Sequence, residues 1–364
     1  MLYIHLTACI SPQSSFPEAS LDHLQRSADN KLRVIEPLYE GLPQQALRRM
    51  AKVVRIGAGA ALPLIRQAGA SCLPIDGIII GTGNAGMEQS IQFVQQIVDH
   101  AEGILSPGDF VQSTPNIVGS QISALTKNKK YNITHVHGGL AFENALLDAA
   151  MQVMEHPTHT YLLGGVDEIG TYNYNIDFLE GWYKKEALSN HQLYERGTPG
   201  SLVGEGAAMF LVNQQEQGAL AGIRGVATLH ADDPAPVAER LGWFLDNHLA
   251  EGEQIELFLS GENGDSRLSP FYEACEEILA AELPIARFKH MSGEYPTASA
   301  FALWLASIWP GGADLPGHML KRGALPLPGG ETSEPGIKMG RNVLIYNTYK
   351  GMQHSFMLLS RSFH

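Results

Sequence analysis

Few side chains in this sequence stand at spacings that could do chemistry. His135 and His137 are two apart in the run YNITHVHGG. Alternate residues of a strand share a face, so the pair sets two imidazoles side by side. Such a pair could contribute to a zinc site, although its spacing does not choose a ligand. No HxxxH or comparable helical pairing accompanies it, and we expect neither a metal nor another cofactor. Cys9, Cys72 and Cys275 are odd in number, far apart and without metal-ligand spacing, which suits free thiols in a reducing compartment. Cys9 lies in an opening strand, Cys72 in a loop after a helix and Cys275 on an amphipathic helix, where each reads as a packing residue. The strongest local pattern is GSLVGEGAAMFLV at 200–212, in which Gly204 and Gly206 flank Glu205 and lead directly into a strand.

The elements that must position these residues follow a repeated grammar. YIHLTACI reads as a buried strand that leaves the core at Ser11 and Pro12. LRRMAKVVRIGAGAALPLIRQAG, from Leu47 to Gly69, has helical spacing, with Pro63 marking a kink or the start of a second helix. DGIIIGTGNAG is a strand meeting a glycine turn. NIVGSQISALTK is helical, YNITHVHGG a strand, FENALLDAAMQVMEH a helix and THTYLLGGVDE a strand. Such alternation predicts a parallel sheet covered on both faces. An Ala/Gly/Asp/Pro-rich stretch near 219–236 marks a boundary, giving halves at 1–218 and 219–364. The second half supplies IELFLSGENG as a strand, FYEACEEILAAEL as a helix and NVLIYNTYKGMQHSFMLLSR as two strands around a turn. GGADLPGHMLKRGALPLPGGETSEPG reads as an irregular surface loop.

Composition narrows the partners. With 364 residues and 44% hydrophobic content, the chain can bury one large core or two medium ones. Its 25 basic and 38 acidic residues leave a formal charge of −13, which repels a polyanion, so no nucleic-acid partner is expected. The N-terminus has no basic region before an apolar run, and no window approaches the roughly 20 apolar residues of a membrane helix. A cytoplasmic protein without membrane contact is the expectation.

Several segments, in order along the chain, resemble signatures of the β-ketoacyl synthase family. GSLVGEGAAMFLV is similar to GF-x-x-GEGAG-x-LVLE, HLTACISP to TG-x-G-x-x-SP, LRRMAK to an RRMD-type helix and LLGGVDE to a strand ending in GGAE. KHMSGEYPTASA at 289–300 resembles K-x-x-TGH-x-x-GAAG, and YNTYKGMQHS resembles NSFGFGGTN. The resemblance implies an α/β thiolase-like fold: two related halves, each with a five-stranded mixed sheet, in a five-layer αβαβα arrangement, and a dimer.

The reacting groups of that family do not reappear. A condensing enzyme needs a thiolate to carry the acyl chain and two histidines to drive decarboxylation and hold the oxyanion. Laying AC-x-x-G over HVHGG puts Val136 at the nucleophile, or His137 after a one-residue slip. NAHGT over SGENG places Glu262 at the first histidine, and TGH over SGE places Glu294 at the second. A carboxylate repels a developing oxyanion unless it is kept protonated. Lys289 and Asn347 are retained, and Tyr349 replaces a phenylalanine of the closing motif.

By resemblance, His135, Lys289, Asn347, Tyr349 and His354 line the pocket with Val136, His137, Glu262 and Glu294, and two close carboxylates there would share a proton. Arg48 and Arg49 match a helix that docks acyl carrier proteins. Lys127, Lys129 and Lys130 read as a solvated turn, and Asp99 and Glu102 add acidic charge that disfavours a carrier nearby. The losses resemble those of chain-length factors, the cysteine-free partners of ketosynthases in type II polyketide and aryl polyene systems. The reading is therefore a non-catalytic, chain-length-factor-like subunit that dimerises with an active ketosynthase or with itself. The alternatives are an acyl-thioester enzyme using His137, Glu262 and Glu294, and an acyl-binding homodimer without turnover.

Overall fold

The computed structural model describes residues 1–71, 73–101, 103, 105–309, 315–322 and 341–361. Its first half contains strands β1 (Leu2–Ile10), β2 (Lys31–Leu32), β3 (Gly77–Gly81), β4 (Tyr131–His135), β5 (Tyr161–Asp167), β6 (Val203–Gly204) and β7 (Gly206–Asn213). Its helices are α1 (Gln44–Leu47), α2 (Lys52–Ala70), α3 (Met87–Asp99), α4 (Pro107–Val111), α5 (Ile117–Thr126), α6 (Ala141–Glu155) and α7 (Thr171–Leu179). The second half adds β8 (Ala221–His230), α8 (Pro234–His248), β9 (Leu257–Ser260), α9 (Ser269–Glu277), β10 (Ile285–Arg287), α10 (Lys289–Ser292), α11 (Ala298–Ile308), β11 (Leu320–Arg322), β12 (Asn342–Tyr349) and β13 (Gln353–Ser360).

The two halves repeat one topology. The first orders its long strands β4-β3-β5-β7-β1 and the second β10-β9-β12-β13-β8; in chain order within each half, both read third, second, fourth, fifth, first. The directions match as well. β3 pairs parallel with β4 and β5, and β7 antiparallel with β5 and β1. β9 pairs parallel with β10 and β12, and β13 antiparallel with β12 and β8. β1 and β8 join antiparallel, making one sheet of eleven strands among the described residues.

Period-two alternation sorts the strand side chains into layers. Ile78, Ile80 and Leu162 pack beneath α2 and α5, whereas Ile79 and Leu163 face a central layer of α6 and α11. Leu257, Leu259, Val343 and Ile345 meet that same layer from the other side, and Phe258 and Leu344 lie under α8 and α9. The result is the αβαβα stack expected. Strands buried on both faces read as continuous apolar runs, which is why GIIIG and LFLS stood out in the sequence.

Three local expectations are corrected. The helix expected from Leu47 starts at Lys52, because its cap comes from distant residues: the Ala51 N–H donates to Gln112 Oε1 (2.6 Å) and the Val53 N–H to Glu168 Oε2 (3.1 Å). Pro63 lies inside one continuous α2; burial of Val53, Ile56 and Leu64 against the sheet outweighs the roughly 3 kcal/mol an interior proline costs. The stretch 219–236, expected to hold the boundary between the halves, contains β8 and the start of α8 and does not bear against that boundary. Within the expected surface loop, 320–322 form β11 on the edge of β10, and much of the remainder lies outside the described residues, as do Cys72 and Glu102.

Asp167, at the end of β5, ties the halves together. Its wholly buried carboxylate accepts from the Thr82 hydroxyl (3.0 Å) and the N–H groups of Gly83 (2.9 Å) and Asn84 (2.8 Å). It also accepts from the N–H (3.1 Å) and hydroxyl (2.8 Å) of Thr297, the residue before α11. Burial still pushes the Asp167 carboxyl up to about 6. Asp167→Asn keeps the shape but turns an N–H₂ toward donors, and should cost about 2–4 kcal/mol near neutral pH, read from urea unfolding. An acid with a raised native pKa contributes stability that is fully present below its unfolded value and lost as pH rises through about 6. The gap between wild type and Asp167→Asn should therefore be wider at about pH 5 than at about pH 7.5.

Candidate functional site

The site is assembled from the head of α6, the turn after β9, the short helix α10 and the β12–β13 turn. Backbone contact sets it. The Glu294 N–H donates to the Leu202 carbonyl (2.8 Å), and the Gly204 N–H to the Glu294 carbonyl (3.0 Å). The approach is so close that a Cβ on Gly204 would lie 1.9 Å from the Ser292 carbonyl oxygen, while Gly293 sits at φ +74° against Gly204. Both positions require glycine. The GEG turn and the SGE segment are thus one structural unit, and the unit aims Glu294.

Glu294 Oε1 accepts from Lys289 Nζ (2.7 Å) and Oε2 from Asn263 Nδ2 (2.7 Å). Lys289 is wholly buried, so the pair is held by charge in a region of low polarisability. Asn263 is fixed in turn: its Oδ1 accepts from the Asp265 N–H (3.1 Å) and its carbonyl from the Ser201 hydroxyl (2.6 Å). Tyr349 adjoins this cluster. Burial, together with the charges of Asp177 and Glu294, pushes its phenol well above the usual tyrosine range, so it stays protonated.

At the head of α6 the Gly139 N–H donates to Gln353 Oε1 (2.7 Å). A Cβ on Gly139 would fall 2.1 Å from Tyr349 Cβ and 2.4 Å from its Cγ. Tyr349 therefore occupies the space into which a side chain at 139 would project. Behind it, Glu143 Oε1 accepts from the Ser355 hydroxyl (2.7 Å), and burial pushes that carboxyl up.

The structure brings Lys289, Glu294 and Tyr349 together, with Asn347 buried on β12 beside Gly261. The other expected groups go elsewhere. Glu262 points outward to Arg287 Nη1 (3.4 Å) and Lys321 Nζ (2.6 Å), so the two glutamates pair with different cations. His135 Nε2 is hydrogen-bonded to Asp148 (2.9 Å). Val136 and His137 lie past the end of β4 and are exposed. His354 is a core residue between the Tyr346 hydroxyl (3.0 Å) and the Ala231 carbonyl (3.0 Å), where burial holds its imidazole below the usual range. Cys9 and Cys275 are buried, and burial raises both thiols. Among the described residues no group of three potential ligands could hold a metal.

Arg48 and Arg49 are exposed in the turn between α1 and α2, not on a helix. They border a groove of about 880 Å³ with Pro107, Asp109 and Gln112. Lys127 ends α5 in a left-handed conformation and Lys130 pairs with Asp76. No described helix is long and apolar enough to cross a membrane. Asn263, Gly139 and Gln353 escaped the sequence reading; the Gly138–Gly139 pair was the available signal for a crowded backbone.

Solved structures match the whole chain. A β-ketoacyl synthase from Burkholderia phymatum STM815 aligns with TM-score 0.75 at 14% identity, covering 100% of this chain and 99% of that one. The fold is that of the β-ketoacyl synthases. The ishigamide ketosynthase/chain length factor matches the same ketosynthase fold with TM-score 0.74, 13% identity and coverage of 100% and 99%. The ketosynthase ApeO in complex with its chain length factor ApeC, from Xenorhabdus doucetiae, gives TM-score 0.71, 14% identity and coverage of 99% and 98%. No family model matches the chain, and no curated protein matches it by sequence.

On this ketosynthase fold the Lys289–Glu294 pair should behave as a buried unit. Lys289→Met strands the Glu294 carboxylate and should cost about 3–5 kcal/mol. Lys289→Met with Glu294→Leu should cost at least about 2 kcal/mol less than the two single changes summed, as measured by urea unfolding in a double-mutant cycle.

Proposed function

We propose that this chain is a non-catalytic, chain-length-factor-like subunit that supports acyl chain elongation by a partner ketosynthase. The observation that carries the reading is the filled space at the head of α6: Tyr349 stands where a side chain at 139 would project, and neither Val136 nor His137, the residues matched to the nucleophile, is a cysteine. Lys289 neutralises Glu294, and among the described residues no thiol or imidazole joins them, so in this proposal the cluster holds shape and does no acyl transfer. The similarity to solved ketosynthase and chain-length-factor complexes supports the same reading. The chain then divides into its halves at 218/219, works in the cytoplasm, and meets an acyl carrier protein through its partner.

The partner surface in this proposal is the outer edge of β4. β4 ends the sheet, and an unpaired strand edge is a template for pairing. Beside it Val136 is 50% exposed, and Met151 and Met154 on α6 are 62% and 72% exposed. This apolar cover is costly in water and suits an interface.

Two measurements test the proposal. Intact-mass analysis after incubation with an acyl thioester should show no covalent adduct; a stoichiometric adduct on any cysteine defeats it. Coexpression with an intact ketosynthase from the same genome should give a copurifying heterodimer. Val136→Asp with Met154→Glu should weaken that complex at least roughly a hundredfold, about 2.7 kcal/mol, while the subunit stays folded by circular dichroism. A homodimer unaffected by these changes would refute the interface.

A further inference from the structure

A second polar cavity lies at the opposite end of the sheet from Gly139. β13 starts at Gln353, beside Gly139, and ends at Ser360, beside this cavity, a separation of roughly 23 Å at the usual rise per strand residue. The cavity has a volume of about 230 Å³, and Arg224, Arg341 and Arg361 converge on it with Tyr3, Glu216 and Glu253. They come from separate elements: the opening of β1, the middle of β8, and the residues flanking β12 and β13.

The charges do not balance. Glu253 is taken by Arg224 Nη1 (2.6 Å) and by the Ala250 N–H (2.8 Å). Burial, joined by the charge of Glu216 beside Tyr3, raises the Tyr3 phenol above the usual tyrosine range. Arg361 is only 8% exposed, and its Nη1 is out of water without a hydrogen-bond partner among the described residues. Among the described residues no carboxylate offsets it, and burial sets the direction of its shift, which is downward. A buried guanidinium with an empty donor is costly, and the cost is relieved by an anion placed in reach.

We propose that this cavity binds a phosphate group, either free phosphate or the phosphomonoester head of a larger molecule, with Arg361 as the buried anchor. Its volume is below the roughly 300 Å³ at which drug-sized pockets begin, so it suits a head group. A planar carboxylate offers two oxygens, enough for one guanidinium fork. A tetrahedral phosphate can serve donors arriving from different directions, as they do here.

Titration calorimetry at constant ionic strength, with inorganic phosphate, glycerol 3-phosphate and acetate as probes, tests this on the full chain. We expect one phosphate or ester per chain, weaker acetate binding, and at least a roughly tenfold loss of phosphate affinity in Arg361→Met. Equal affinity for the two phosphate probes identifies free phosphate as the ligand, and tighter binding of the ester identifies a head group. Failure of both to bind, or unchanged binding in Arg361→Met, overturns the proposal. Thermal unfolding in phosphate-free buffer gives a second readout. Arg361→Met should leave Tm unchanged or raise it, since it removes an unpaired buried charge. A lowered Tm would mean that a carboxylate of the chain already fills the place, and would overturn the proposal as well.

Discussion

A buried carboxylate that accepts five donors is the constraint on which the rest of the molecule turns. Asp167 gathers the turn after β3 and the residue before α11 around the end of β5. The two halves could otherwise slide on their apolar central layer, since dispersion contacts are not directional. Two more buried acids extend the arrangement. Glu205 accepts from the N–H groups of Val34 (3.0 Å) and Ile169 (2.9 Å) and from the Lys52 ammonium. Glu168, pushed up to about 7 by burial and by Glu205, caps α2. The acids of GGVDE and GEG thus hold the frame.

The parts legible in the sequence were those whose signal is local. GIIIG, YLLGGVD and LFLS are strands buried on both faces, and FENALLDAAMQVMEH carries its helix on one apolar face. The motif order gave the fold because backbone contacts such as Gly204 against Gly293 demand particular residues at particular places. What the sequence could not show depended on direction. In the turn after β9, one residue of parity decides whether Glu262 or Asn263 reaches Glu294; the turn sends Asn263 inward and Glu262 to Arg287 and Lys321. The alternation of HVH stops counting at His135, where β4 ends. His354 looked like a pocket group from its motif, but lies on the strand face that packs under α9.

The electrostatics of the cluster follow from this geometry. Lys289 and Glu294 cancel within a dry region, and Asn263 satisfies the remaining carboxylate oxygen. Around them stand phenols whose protons are held by burial: Tyr183, Tyr295 and Tyr349. A neutral wall of this kind makes the interior around the pair stiff and chemically quiet. Oxyanion stabilisation needs donors aimed at an open position, and here the donors are consumed by Glu294.

The contact between Gly139 and Tyr349 also bears on the history open to this chain. A side chain cannot be introduced at 139 by one substitution, because its Cβ would coincide with the tyrosine. Loss of the tyrosine alone would empty a packed space, and a cavity lowers stability. Each first step is disfavoured while the other residue stays as it is. The pair works as an evolutionary ratchet: with glycine and tyrosine sharing that space, selection for fold stability alone is enough to keep both.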